Sequence, residues 1–164
     1  MWWSDRRFVL CGLAALALAG CGFTPAYAPG GVGSRLQGRI LPDEPQTVQA
    51  FAFANQLENR LGRAADAPYA LSYDIDLDDQ GLAITSDQET LRYHLSGVVD
   101  YRVSDRATGE VLTTGQAQTF AAYSAIGTTV ATRAAERDAE KRLMVMLADQ
   151  VVTQLLASGG RWLP

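Results

Sequence analysis

Polar and apolar residues alternate strictly over residues 69–78. Leu71, Tyr73, Ile75 and Leu77 fall on one side, and Ser72, Asp74, Asp76 and Asp78 on the other. A period of two with one wholly apolar face predicts a half-buried strand. The same period returns over residues 91–104. There Leu91, Tyr93, Leu95, Val99, Tyr101 and Val103 share a side with Gly97, while Arg92, His94, Ser96, Asp100 and Arg102 face the other way. Gly97 on the apolar side marks a bulge or a place of close packing. Between these strands, Asp78-Asp79-Gln80-Gly81 reads as a turn, after which Leu82, Ile84 and Thr85-Ser86-Asp87 begin a weaker strand. Asp105-Arg106-Ala107-Thr108-Gly109 has hairpin-loop chemistry. Residues 110–122 then return as a strand rich in Thr and Gln, whose blurred alternation does not fix its register. A short strand is expected over residues 34–41, with Leu36 and Ile40 apolar and Pro42 closing it.

Two segments switch to helical spacing. Ala50, Phe53, Ala54, Leu57 and Leu61 form one stripe, with Thr47 placed to cap the helix and Gly62 to end it. A longer helix starts after Thr128 or Thr129 and runs to about Ala157. Its expected stripe is Ala134, Ala135, Ala139, Leu143, Met144, Leu147, Val151 and Leu155. The order strand, helix, run of strands, helix predicts an α+β fold: a mostly antiparallel four-stranded sheet with two helices packed on one face.

The chain opens differently. Arg6-Arg7 precede an apolar run from Phe8 to Ala17, and Leu18-Ala19-Gly20-Cys21 follow. This is the layout of a secretory signal ending in a lipobox. The run is shorter than the about 20 residues of a membrane span. Residues 1–20 are therefore expected to be a lipoprotein signal peptide, with Cys21 acylated as the new N-terminus. Asp5 stands where a twin-arginine signal usually has Ser or Thr, which favours the general secretory route. Gly22, rather than Asp, after the acylated Cys leaves the outer membrane as the default destination in lipoprotein sorting. Residues 22–33, crossed by Pro25, Pro29 and several glycines, are too punctuated for helix or strand and read as a flexible tether. Phe23 and Tyr27 suit lipid headgroups or a partner, or are incidental to the tether. Residues 34–164 then make a single α+β lipoprotein domain, long enough to bury a core without staples.

Composition removes several classes of function. Cys11 leaves with the signal and Cys21 is acylated, so no thiol remains for a disulfide, a metal or a nucleophile. The 14 basic and 18 acidic residues give a net charge of −4, against the basic balance of a nucleic-acid binder. Phosphate loops, dinucleotide fingerprints and zinc spacings are absent from the sequence, so no cofactor or metal is expected. Asp74, Asp76 and Asp78 are the solvent side of a strand, and with Asp79 they lack the EF-hand spacing. The one histidine, His94, sits on a polar strand face without a placed nucleophile, so no catalytic residue is assigned. Arg133, Arg137, Lys141 and Arg142 are interleaved with Glu136, Asp138 and Glu140, the pattern of a solvated helix face with a minority reading as a phosphate site.

Three stretches carry a family resemblance. They are Cys21-Gly22-Phe23-Thr24-Pro25-Ala26-Tyr27; Tyr69-Ala70-Leu71 leading into the alternating strand; and residues 134–142 followed by Leu147-Ala148-Asp149-Gln150-Val151. In this order, behind a lipobox, the chain resembles the LptE family of lipopolysaccharide-assembly lipoproteins. The resemblance implies a non-enzymatic plug in the lumen of an outer-membrane β-barrel partner, LptD, that assists insertion of lipopolysaccharide into the outer leaflet. It also implies lipopolysaccharide contact through basic residues, for which Arg92, Arg102, Arg106, Arg133 and Arg137 are candidates without a residue-by-residue match. Arg92, His94, Ser96 and Asp100 suit the polar wall of a barrel lumen. The alternative is an auxiliary lipoprotein of a lipid-trafficking ABC transport system.

Overall fold

The computed structural model describes residues 25–84 and 90–163. The signal peptide, Cys21, Phe23 and Thr85-Ser86-Asp87 therefore lie outside the described residues. In chain order the elements are α1 (Val32–Leu36), β1 (Ile40–Pro42), α2 (Val48–Leu61), β2 (Tyr69–Ile84), β3 (Thr90–Asp105), β4 (Val111–Ser124) and α3 (Thr129–Ser158), closed by a 3₁₀ turn, Gly159–Arg161. The sheet order is β1-β2-β3-β4. β1 runs parallel to β2, with α2 as the crossover such a pair requires, and the other two pairings are antiparallel. The fold is α+β, with a mostly antiparallel four-stranded sheet and one short helix beyond the two expected.

Each long helix forms for the reason its spacing gave. The Ala50 amide donates to Thr47 Oγ1 at 3.0 Å, satisfying a free donor of the first turn of α2. Gly62 leaves α2 at φ +82, a backbone conformation that costs glycine nothing. Ala50, Phe53, Ala54, Leu57 and Leu61 are all buried. Thr128 caps α3 through the Ala131 amide. Burial along α3 runs through Ala139, Leu143, Met144, Leu147, Ala148, Val151, Val152 and Leu155. By length and composition Thr129–Arg161 is a candidate membrane span. Its apolar side instead packs with Phe53, Leu57, Leu71, Val99 and Val103 in one core.

The sheet differs from expectation in instructive places. The short strand expected over 34–41 is a turn of helix followed by a strand of three residues. Leu36 and Ile40, four apart, are both buried, and the chain reverses between them at Gly38 with φ +68. α1 begins inside the stretch read as lacking helix. Asp78–Gly81 is not a turn: β2 continues through it, pairing Asp78 with Ser96 and Gln80 with His94. Tyr123 on β4 donates to Asp79 Oδ2 at 2.6 Å, which gives the acidic extension a partner on the helix side of the sheet. Ala134 is exposed, contrary to the expected stripe, while Ala135 is half-buried against the core. Gln49, in the first turn of α2, meets Glu140, so among the described residues α2 runs beside α3 only from Glu140 onward.

Candidate functional site

Among the described residues the helices lie on one side of the sheet, and its other face is polar and open. Asp74, Asp76 and Asp78 of β2, Arg92, Asp100 and Arg102 of β3, and Thr114, Gln116 and Gln118 of β4 are exposed there. His94 and Ser96, on the same face, are half-buried. Register settles this grouping: Arg92 pairs with Ser124, Ser96 with Phe120, Asp100 with Gln116 and Arg102 with Thr114. The four residues expected to face a partner, Arg92, His94, Ser96 and Asp100, therefore share one surface. Gln116 donates to Asp100 Oδ1 at 2.8 Å, and Ser96 Oγ donates to the Asp78 carbonyl at 3.2 Å. The face is a hydrogen-bonding plane of mixed charge.

Phe120 breaks that plane. It is 59 % exposed, and its ring stacks on His94 with centroids 4.4 Å apart. This apolar patch continues round the edge of β4 into a groove of about 570 Å³ against α3, lined by Phe120, Ala122, Lys141, Arg142, Val145 and Met146. Sequence reasoning missed Phe120, although a large apolar aromatic in a Thr- and Gln-rich strand was the available signal. It also missed Phe51 and Val48, exposed on α2 away from the buried stripe.

The five candidate arginines divide between the two ends of the sheet. Arg92 and Arg102 occupy the same strand face ten residues apart, about 33 Å at the usual strand rise. Residues 125–128 connect Ser124, beside Arg92, to the start of α3, so Arg133 and Arg137 belong to the Arg92 end. Arg102 and Arg106 belong to the other. Arg106 lines a groove of about 620 Å³ between β1 and α2, together with Pro42, Glu44, Phe51, Glu58 and Arg63. Its guanidinium also donates to the Ala67 carbonyl at 2.7 Å, which ties the β3–β4 hairpin to the loop before β2. Among the described residues, Arg92, Arg133 and Arg137 have no ion pair, whereas Arg142 pairs with Asp138 at 3.1 Å.

At the Arg92 end, Tyr93 and Tyr123 stack at 5.1 Å on the helix side of the sheet. Burial holds the Tyr123 hydroxyl well above its ordinary range. The hydrogen bond to Asp79 and the negative charges of Asp79 and Glu136 push it further. Burial likewise raises Tyr101, whose hydroxyl donates to Gln154 Oε1 at 2.9 Å. These tyrosines act as hydrogen-bond donors that pin α3 and β2 to the strands. Asp74, Asp76, Asp78 and Asp79 are spread along an extended strand. Among the described residues no three His, Cys, Asp or Glu side chains gather to hold a metal ion.

Comparison with known proteins gives this architecture a context. A family model described as "LptE: Lipopolysaccharide-assembly" matches residues 42–155, more than half of the chain. No curated protein matches the sequence. Among solved structures, a putative lipoprotein from Caulobacter crescentus superposes with TM-score 0.66 at 21 % identity, over 80 % of this chain and 98 % of that one. A minor lipoprotein from Acinetobacter baumannii does so with TM-score 0.60 at 19 % identity, over 75 % and 94 %. The rare lipoprotein B from Shewanella oneidensis gives TM-score 0.57 at 14 % identity, over 73 % and 92 %. At these identities the superpositions establish the fold.

Proposed function

The chain belongs to the LptE family of lipopolysaccharide-assembly proteins, and from that premise we propose that it is a non-enzymatic outer-membrane lipoprotein, acylated at Cys21, that plugs the lumen of the LptD barrel. The observation that carries this reading is the open polar face of the sheet. A domain that buried both sheet faces would have nothing to offer a wet barrel wall. Here one face is sealed by α2 and α3, and the other presents carboxylates, amides, hydroxyls and guanidinium groups. The lumen of a large barrel is polar, so such a face exchanges water for protein hydrogen bonds at little cost. The core beneath keeps the plug stiff. Signal removal and acylation hold the domain at the periplasmic face of the membrane, raising its effective concentration beside the barrel.

Lipopolysaccharide contact is assigned to the arginines at the Arg92 end. Guanidinium forks suit lipid phosphates, and Arg92, Arg133 and Arg137 are not engaged by carboxylates among the described residues. No bond is broken in this role. The test is mild detergent extraction of the full chain at native expression, followed by mass identification of its tightest partner. Recovery of a large outer-membrane barrel is expected. Recovery of an inner-membrane transporter instead would place the protein in a lipid-trafficking ABC system.

A further inference from the structure

Residues 25–33, a few positions after the acylation site, are part of the fold. The Gly33 amide donates to the Ala26 carbonyl at 2.7 Å, and the Ala28 amide to the Pro25 carbonyl at 3.0 Å. A Cβ on Gly33 would stand 2.7 Å from the Tyr27 ring, so that ring lies directly on the start of α1. α1 in turn sits on the end of α3, where a Cβ on Gly159 would collide with Val32. Residues 21–24 are the whole connection between Cys21 and this folded corner. Four residues reach at most about 14 Å when fully extended.

The corner has its own charge. Residues 25–42 and 150–163, which build it, contain Arg35, Arg39 and Arg161 and no acidic residue, in a chain with 18 acids and 14 bases. Arg39 and Arg161 are exposed, as is Tyr27 at 51 %. The Arg39 carbonyl accepts from the Tyr69 amide, and the Tyr69 ring, itself buried, meets Trp162 edge-on at 5.6 Å, so Arg39 and the Arg161-Trp162 end of the chain are brought to one corner on either side of Tyr69. The adjoining acids are Asp43, next to Pro42, Asp149, which pairs with Arg60, Asp66, on the loop before β2, and Asp105. The Asp105 carboxylate is occupied by the Ala107 and Thr108 amides.

We infer that this corner is a membrane-apposed face: Arg39 and Arg161 rest on anionic phospholipid headgroups, with Tyr27 at the interface, and fix the orientation of the domain on the bilayer. The inference rests on the acylation of Cys21 proposed above. Basic side chains near an anionic surface each add favourable energy that salt screens. An aromatic ring with a polar tip suits the headgroup level. The acyl chains supply attachment, and the arginines supply orientation.

The chain carries its own reporter. Its three tryptophans are Trp2, Trp3 and Trp162, and only Trp162 survives signal cleavage. The acylated protein is reconstituted on vesicles of brominated phosphatidylcholine, with or without phosphatidylglycerol, and Trp162 fluorescence is read. Stronger quenching on the anionic vesicles, reversed by salt, is expected. Arg39→Glu/Arg161→Glu should lower the apposed population roughly tenfold or more, given the usual worth of two basic side chains at an anionic surface. Arg39→Lys/Arg161→Lys should retain the quenching. Mass spectrometry of the same samples reports the acyl groups. An acylated protein with Trp162 unquenched, or quenched equally on both vesicles, overturns the apposition alone. An unmodified Cys21 overturns the anchoring and the apposition together.

Discussion

A Cβ added to Gly97 would lie 2.9 Å from Leu147 Cδ1, so the centre of β3 and the middle of α3 touch with no room for one methyl group. Leu143 and Leu77 close the same space at 3.1 Å. Gly97→Ala is therefore expected to cost about 1–3 kcal/mol through overpacking. Leu147→Ala, at a fully buried position, should cost about 2–5 kcal/mol. The double variant should cost less than the sum, because the truncated Leu147 makes room for the new methyl. Urea denaturation of the four proteins checks this, and strict additivity would mean that the two residues are not in contact.

Such contacts explain what could be read in advance. Gly97 stood out because it interrupted a row of large apolar residues, and Phe53, Leu57, Leu143 and Leu147 announced their burial by helical spacing alone. The register of β4 did not. From Gly115 to Ala121 the core side of β4 carries Gly115, Ala117, Thr119 and Ala121, with Tyr101 filling the space at Gly115, and only Tyr123 beyond them is large, while Phe120 points outward. Alternation by hydrophobicity therefore runs opposite to alternation by size. The continuation of β2 past Asp78 was hidden for a similar reason, since its partner for Asp79 is a tyrosine 44 residues away. The candidate face was legible as one side of β3. That the arginines fall into two separate ends followed only from where β4 hands over to α3.

Tyr123 and Asp79 predict an alkaline weakness. The folded hydroxyl holds its proton above the range of a free tyrosine, while the unfolded one ionises near pH 10. The folded state thus binds more protons at high pH. Its stabilisation is complete below pH 10 and falls as pH rises from there through the folded value. Tyr101 and Tyr73 are shifted the same way and deepen the decline. Tyr123→Phe should lose about 1.5–3 kcal/mol at neutral pH, where a hydrogen bond to a carboxylate is lost. Its stability should then fall less steeply above pH 10. Urea midpoints from pH 7 to 11, measured on both proteins, read the two effects, and parallel alkaline limbs would contradict the assignment.

Ser96 tests the open face without touching the core. It lies between Asp78 and Phe120 in the pairing. Ser96→Glu places a second carboxylate beside Asp78 on the surface proposed to meet the barrel wall. Melting should shift little, in line with a surface substitution of about 0.5 kcal/mol. The yield of barrel recovered with the affinity-tagged protein should drop several-fold. An undiminished yield would move the docking surface elsewhere.

The two arginine groups make opposite predictions for lipopolysaccharide. Arg92, Arg133 and Arg137 lie toward the end of the sheet where β4 passes into α3, Arg92 on the open face and the other two on the helix beside Glu136 and Asp138, while Asp79 of β2 already accepts from Tyr123. Arg137 Nε donates to the Arg133 carbonyl at 3.1 Å, which lays its side chain along the helix surface with the rest of the guanidinium outward. Arg106, by contrast, is committed to the Ala67 carbonyl and holds the hairpin. Charge reversal of Arg92, Arg133 and Arg137 together should lower lipopolysaccharide affinity roughly tenfold or more, since each charge-assisted contact is a sizeable fraction of the 1.4 kcal/mol that a factor of ten requires. Reversal of Arg102 alone should leave the affinity nearly unchanged. Reversal of Arg106 should instead lower the melting temperature through the broken hairpin tie. Binding to immobilised lipopolysaccharide, read beside a melting curve for each variant, separates these outcomes. If Arg102→Glu weakened binding as much as the triple reversal, the lipid phosphates would have to lie at the hairpin end, about 33 Å along β3 from where they are assigned.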